Sequence, residues 1–358
     1  MKQGVYIIAE AGVNHNGDPE RAREMVDAAA DAGADAIKFQ TFDPAALVTR
    51  SAPQAEYQVR NEGDSGSQLA MLQRLTMTHD DHHRLQERCA HREIDFLSSP
   101  FDPASARFLI EEMNLPVLKL GSGELNNAPL LLQIAQAGRS LILSTGMANI
   151  DEIREALGVA AFGYLNASAP TARGDFKTVL EDPKTWEVLR ERVSLLHCTT
   201  EYPCPLEQVN LRAMDTLRDV FGLPVGYSDH TLGIDVAVVA AARGATILEK
   251  HFTLDRNLPG PDHVASLEPG ELREMVQAVR RVETALGDAA KQMSSVESRN
   301  RDVARKSLVT LRPIAKGEHF NTGNLGSKRP GTGRSPMDYW NLLGQPAERD
   351  YSADEIVE

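Results

Sequence analysis

One pattern recurs along most of the chain: a short run of β-branched and aliphatic residues ends in a polar residue, and a stretch with helical apolar spacing follows. The runs are 5–10 (VYIIAE), 36–40 (AIKFQ), 95–99 (DFLSS), 117–122 (VLKLGS), 141–145 (LILST), 194–198 (SLLHC), 225–229 (VGYSD) and 246–251 (TILEKH). Helical patterns follow near 18–33, 79–92, 103–114, 128–138, 150–160, 207–221, 232–244 and 268–287. In the first of these Asp18 is placed to cap, Pro19 suits the first helical position and Gly33 closes the helix. Its apolar residues Ala22, Met25, Val26, Ala29 and Ala32 share one face.

Strands alternating with helices predict a parallel sheet, because each return crossover needs a dozen or more residues. Eight such units predict closure into a (β/α)8 TIM barrel rather than an open doubly wound sheet. A dinucleotide fold would place GxGxxG after the first strand, where this chain has EAGVNHNG. Two connections are oversized, 41–78 and 161–192, and long connections in compact domains usually form binding loops or lids. Beyond residue 287 the pattern changes. A catalytic barrel over 1–287 is therefore expected, then a polar linker over 288–305, then a small turn-rich β module over 306–358 with little core of its own.

The 358 residues are 42% hydrophobic and 25% charged, which are globular values. Mean hydropathy is −0.33, and no run approaches the roughly 18 apolar residues of a membrane helix. The first ten residues already contain a glutamate, which argues against a signal peptide and for a cytoplasmic enzyme. Cys89, Cys198 and Cys204 form no CxxC pair, so neither a disulfide framework nor a zinc ribbon is expected. A net charge of −13 makes the chain a poor partner for nucleic acid. An anionic small molecule remains open wherever a few lysines or arginines converge.

Barrel enzymes carry their chemistry at the C-terminal ends of the strands. Here those ends hold Glu10, Lys38, Gln40, Ser98, Ser99, Lys119, Ser122, Glu124, Ser144, Thr145, Cys198, Thr199, Thr200, Ser228, His230, Lys250 and His251. Lys38 and Lys119 sit inside apolar runs, where an unpaired ammonium is costly. Each alone could be half of a structural salt bridge; together, with Ser122, Ser144 and Ser228 nearby in barrel order, they point to an anion site for phosphate or carboxylate. His230 and His251 end adjacent strands, less than about 5 Å apart in a sheet, so both imidazoles can reach one ion or one substrate atom. With Glu10, Glu124 and water, that set suits Mn²⁺, Mg²⁺ or Co²⁺ better than a closed zinc site. His79, His82, His83 and His91 share one helix and read as a solvated face, and Cys198, lacking a base partner, as packing.

The segments IIAEAGVNHNG, AIKFQTF, SSPFD, KLGSGELNN, LILSTGMA, HCTTEYP, GYSDHT, EKHFTLD, PGPDHVAS and KRPGTG, in this order over essentially the whole chain, closely resemble the sialic acid synthase family. SAPQAEYQVRN resembles the bacterial members that make N-acetylneuraminate or legionaminate. The resemblance implies condensation of phosphoenolpyruvate with an N-acetylated hexosamine, and a C-terminal antifreeze-like domain of β-clip type. It implies that His230 and His251 hold a divalent ion, usually Mn²⁺ or Mg²⁺, and that Lys38, Lys119, Ser122, Ser144 and Ser228 contact phosphoenolpyruvate. Glu10, Gln40, Glu124, Tyr202 and Asp262 are placed around the sugar and the metal-bound water, and Asn61 and Arg329 on the sugar. It also implies a domain-swapped homodimer in which each C-terminal module caps its partner's barrel; an extended 288–305 could reach about 60 Å at roughly 3.3 Å per residue. One departure stands out: some members carry an asparagine in the HCT stretch, where this chain has Thr199 and Thr200.

The chemistry agrees with the residues. Two lysines and several hydroxyls can neutralise a substrate of up to three negative charges. Its methylene carbon is a weak nucleophile, so the sugar aldehyde must be polarised, which a two-histidine metal site provides. Water then adds and phosphate leaves, with Glu10 and Glu124 as proton-transfer groups. The acceptor expected first is N-acetylmannosamine, giving N-acetylneuraminate; the alternative is 2,4-diacetamido-2,4,6-trideoxymannose, giving N,N'-diacetyllegionaminate. A Schiff-base aldolase using Lys38 or Lys119 would need no metal. A non-catalytic carbohydrate- or ice-binding protein would leave the polar strand ends without a purpose.

Overall fold

A computed structural model describes residues 4–62, 66–166 and 168–358. Two compact units compose it, Met1–Gly287 and Asp288–Glu358. In the first, eight strands alternate with helices: β1 (Tyr6–Gly12), β2 (Ala36–Thr41), β3 (Asp95–Pro100), β4 (Val117–Leu120), β5 (Ser140–Ser144), β6 (Val193–His197), β7 (Val225–Asp229) and β8 (Ile247–His251). Their order is β3-β2-β1-β8-β7-β6-β5-β4 and every ladder is parallel. The two outermost strands of that order, β3 and β4, lie against each other, closing the sheet around an interior. This is the architecture expected of a (β/α)8 barrel.

Successive residues of a strand face opposite sides of the sheet, and the burial follows that period. Ile8, Ala36, Leu97, Ile142, Leu196 and Ile247 form one apolar cluster inside the barrel, with Tyr6 and Val117 packed against it. The intervening residues, among them Ile7, Ala9, Ile37 and Phe39, belong to the larger core between sheet and helices. Two positions beyond each plug residue, on the same face, stand Glu10, Lys38, Ser99, Ser144, Cys198 and Glu249, and Lys119 follows Val117 in the same way. An apolar plug thus carries a polar layer directly above it.

The first helix, Pro19–Ala32, runs as expected: the Asp18 carboxylate accepts from the amides of Glu20 and Arg21, Gly33 closes it at φ 85°, and Ala22, Met25, Val26, Ala29 and Ala32 are buried. The connection after β2 folds into three short helices, Pro44–Leu47, Glu56–Glu62 and Gln68–Arg74. The second oversized connection behaves differently. Helix Ile150–Leu165 runs further than its apolar spacing suggested, Gly174–Thr178 and Pro183–Arg192 follow, and none of the described residues of 161–192 lines the barrel mouth. Among the described residues no helix is long and apolar enough to cross a membrane.

The polar stretch 288–305 departs from the extended linker that its composition suggested. Ser294 opens a capping box with Glu297, an S-x-x-E signature, and Ser295–Ala304 is helical. Ten helical residues advance only about 15 Å, so the reach of an extended strand does not apply. The remainder holds an antiparallel pair, β9 (Ser307–Thr310) with β10 (Leu325–Lys328), and a small core of Leu308, Ile314, Phe320, Leu325, Leu342, Ala347 and Val357.

Inside the barrel Gly226 has no room for a side chain: a Cβ there would stand 2.4 Å from the Ile247 carbonyl oxygen and 2.6 Å from Leu196 Cδ2. Gly226→Ala is expected to lower stability by about 1–3 kcal/mol, the usual effect of overpacking a filled core. An unchanged urea midpoint in the variant would contradict the packing described.

Candidate active site

The polar layer carries a buried group of four charges. Lys38 Nζ lies 2.5 Å from Glu10 Oε2, 3.6 Å from Glu249 Oε2 and 3.2 Å from Ser99 Oγ. Lys119 Nζ meets Glu249 Oε1 at 3.2 Å, and Ser228 Oγ donates to the same oxygen at 2.8 Å. The register explains the meeting, since Glu10 pairs with Lys38 on one side and His251 on the other, and Ser228 with Glu249. Burial and the neighbouring Glu249 push the Glu10 carboxyl above its ordinary value, against the pull of Lys38. Burial also opposes the charge of Glu249, but Lys119, Lys38 and the Ser228 hydroxyl outweigh it and hold that carboxyl well below the usual range. For Lys38 burial is outweighed by Glu10 and Glu249, which keep the ammonium charged. Ser144 Oγ is buried here with no hydrogen-bond partner among the described residues.

Beside this floor stand the two imidazoles, ring centroids 5.4 Å apart. His230 Nδ1 is 2.6 Å from the Thr199 carbonyl oxygen, which can only accept; Nδ1 therefore donates and Nε2 keeps its lone pair. His251 Nδ1 is buried without a hydrogen bond among the described residues, 3.9 Å from Asp262 Oδ2. Burial lowers His230 to about 4 and, with His230 and Lys38 adding to it, takes His251 well below its ordinary value. Both rings are neutral at physiological pH, the form a metal ion requires. Among the described residues no group of three His, Cys, Asp or Glu side chains converges as a ready-made cage. The Tyr202 ring packs 4.1 Å from His230 and 5.3 Å from His251, with Tyr57 4.8 Å from Tyr202.

Across the mouth, Ser122 to Glu124 form a short turn after β4. Burial raises the Glu124 carboxyl, while Asn127 Nδ2 donates to its Oε2 at 2.7 Å and opposes the rise. Ser122 Oγ accepts from the Gly146 amide at 3.0 Å and lies 3.1 Å from Cys198 Sγ. That approach requires glycine, because a Cβ at Gly146 would stand 2.7 Å from Ser122 Oγ.

One cavity is lined by Glu10, Lys38, Gln40, Lys119, Ser122, Glu124, Ser144, Tyr202, Ser228, His230, His251 and Asp262, so most of the residues singled out by sequence meet there. Asn61 stands outside this lining: its amide donates to the Pro261 carbonyl at 2.7 Å and the Tyr202 carbonyl at 3.4 Å. Arg329 follows β10 in the C-terminal unit and is exposed there. Lys250 faces away from the cavity, fully buried, with Nζ 2.9 Å from Asp229 Oδ2. Asp229 also accepts from the Thr231 amide at 2.9 Å, so His230 stands between two anchored residues. His82 is buried rather than solvated, its ring bonded to Thr41 Oγ1 and the Thr78 carbonyl, each at 2.9 Å. Glu249 and Tyr57 were not singled out; Glu249 could have been found, since it lies two residues before His251 on the same face of a strand.

A closed parallel barrel whose mouth combines buried lysines, hydroxyls, neutral imidazoles and raised carboxyls defines an enzyme for an anionic substrate. The chain matches the NeuB family over residues 25–291. It is 44% identical to N,N'-diacetyllegionaminic acid synthase of Campylobacter jejuni over 98% of both chains. It is 42% identical to N,N'-diacetyllegionaminic acid synthase of Legionella pneumophila over 97% of this chain and 92% of that one. Among solved structures, N-acetylneuraminic acid (sialic acid) synthetase of Leptospira borgpetersenii aligns with TM-score 0.66 at 32% identity, covering 83% of this chain and 90% of that one. The chain belongs to the NeuB family, the sialic acid synthase family its motifs resemble, and is a phosphoenolpyruvate-using transferase.

Removing the charge of Glu249 tests the floor directly. Glu249→Gln leaves Lys119 without its carboxylate partner and is expected to cost about 3–5 kcal/mol, as breaking buried ion pairs does. Equal melting temperatures for native and variant, without ligand, would contradict this.

Proposed function

We propose that this chain condenses phosphoenolpyruvate with 2,4-diacetamido-2,4,6-trideoxymannose and water, giving N,N'-diacetyllegionaminate and phosphate. The observation that carries the acceptor is the 44% identity, over 98% of both chains, to the Campylobacter jejuni enzyme named for that product. N-acetylmannosamine, the acceptor expected first, rested on the resemblance of the motifs, which left both acceptors open. It stays as the second reading, supported by the likeness to the Leptospira borgpetersenii synthetase.

In this reading Lys38 and Lys119 bind the phosphate and carboxylate of phosphoenolpyruvate, with Ser144, Ser122 and Ser228 donating hydroxyls. Ser144 is suited to this, its hydroxyl having no hydrogen-bond partner among the described residues. His230 and His251 hold a divalent ion, Mn²⁺ or Mg²⁺ with Co²⁺ also fitting. When bound, it supplies Lewis-acid polarisation of the sugar aldehyde. Tyr202, Gln40 and Asp262 orient the sugar. Asn61 acts by holding the Tyr202 and Pro261 carbonyls rather than through the sugar itself. The methylene carbon bonds to the aldehyde carbon, whose oxygen takes a proton. Water then adds to the former enol carbon, and the carbon–oxygen bond to phosphate breaks to leave the ketone. Glu10 and Glu124, both held above ordinary carboxyl values by burial, divide the two proton transfers. The C-terminal unit is an antifreeze-like module that caps the partner's barrel in a domain-swapped homodimer, bringing Arg329 to the sugar.

Incubation with phosphoenolpyruvate, Mn²⁺ and each sugar, followed by mass analysis, tests the acceptor: the diacetylated keto acid should form faster than N-acetylneuraminate. His230→Ala or His251→Ala should reduce turnover by orders of magnitude and abolish Mn²⁺ binding measured by electron paramagnetic resonance. Full turnover in excess chelator, with metal removal verified, would refute the metal role.

The dimer has its own test. His230→Ala and Arg329→Ala proteins, each inactive, are mixed under conditions of subunit exchange. In a swapped mixed dimer one site regains both residues, and activity returns. Exchange verified by mass without recovered activity would refute the swap.

A further inference from the structure

The polar floor accounts for one side of the cavity. The other side is apolar and comes from the connection after β2: Leu47, Val48, Met71, Leu72 and Leu75 line the same cavity as Lys38 and His251. Val13 and Phe101, from the ends of β1 and β3, continue the surface. Met71, Leu72 and Leu75 pack with Val13 and Phe42 as a separate cluster, so the wall is built and not a loose loop. Leu47 and Val48 are only half-buried and packed on that cluster, leaving apolar side-chain surface facing the cavity. None of the roles assigned above uses this wall, and an apolar surface in a substrate cavity is a recognition element.

The acceptor must present its aldehyde carbon to the imidazoles and the bound phosphoenolpyruvate. The C2 acetamido group is therefore held near the polar floor. The open chain from C1 to C6 extends about 6 Å, at roughly 1.25 Å of advance per carbon. A tail of that length would reach from the floor toward the connection after β2, whose residues line the same cavity. A methyl group at C6 suits such a wall, whereas a CH₂OH would bury a hydroxyl against aliphatic side chains.

We propose that the wall of Leu47, Val48, Met71, Leu72 and Leu75 receives the C6 methyl of the acceptor and sets the preference for a 6-deoxy sugar. The inference rests on the function proposed above and adds the side chains that enforce it. Gln58 and Gln68, which line the same cavity, supply amides for the acetamido group at C4.

The test compares two acceptors that differ only at C6: 2,4-diacetamido-2,4,6-trideoxymannose and 2,4-diacetamido-2,4-dideoxymannose. The native enzyme should favour the 6-deoxy sugar in kcat/KM by about 10–100-fold, the range a hydrophobic pocket achieves against one added hydroxyl. Leu47→Asn and the isosteric Val48→Thr should each reduce that ratio several-fold, with the KM for phosphoenolpyruvate at its native value. A native ratio near one overturns the inference. A high native ratio that persists in both variants also overturns it, and leaves the proposed acceptor standing. Preference of the native enzyme for N-acetylmannosamine over both diacetamido sugars would instead remove the proposed function, and this inference with it. Should Leu47→Asn fail to fold, Val48→Thr alone decides, because it changes polarity without volume.

Discussion

Two ammonium groups buried in the mouth of a barrel constrain everything around them. Glu10 and Glu249 face Lys38 and Lys119 within 2.5–3.6 Å, and Glu249 serves both lysines. Taking single ions of this kind out of water costs several kcal/mol each, so the group is tolerable only as a balanced set. An anion entering such a set would compete with the carboxylates for the same donors. The raised Glu10 carboxyl is part of that adjustment: it can take up a proton when another anion arrives.

The strand period keeps this group separate from the forces that hold the barrel shut. On β8 the inward residues are Glu249 and His251, while Lys250 between them turns outward to Asp229. On β7 Ser228 and His230 face in, and Asp229 faces out. One ion pair therefore ties the ends of β7 and β8 from behind, and the two imidazoles stand in front of it.

Fold class and most of the site were legible in the chain because both depend on local periods. Alternating strand runs and capped helices gave the eight units with ends displaced by a residue or two, and strand-end position gathered the lysines, serines and histidines. What was missed depends on facing direction. Glu249 was overlooked beside the more conspicuous Lys250, although alternation from His251 places Glu249 inward and Lys250 outward. His82 read as solvated because its helix is rich in histidines; its burial arises from Thr41 across the β2 end, a contact no local pattern records. Within 288–305 the helix was overlooked because the segment was read by its polarity, although the S-x-x-E signature at Ser294 was present. The two oversized connections looked alike in length; only 41–78 reaches the mouth, because it follows a strand's C-terminal end whereas 161–192 precedes a strand's N-terminal end.

That placement has a consequence for how such an enzyme diversifies. The polar floor is built from strand residues, held by register to their neighbours, and a change there disturbs the barrel itself. The apolar wall is carried on an inserted segment that packs mainly within itself and on the ends of β1, β2 and β3. Substitutions in that segment can therefore be absorbed with little strain on the strand ladders. Change in residues 41–78 should accordingly be tolerated more readily than change in the eight strands, leaving one edge of the barrel mouth open to variation at small mechanical cost.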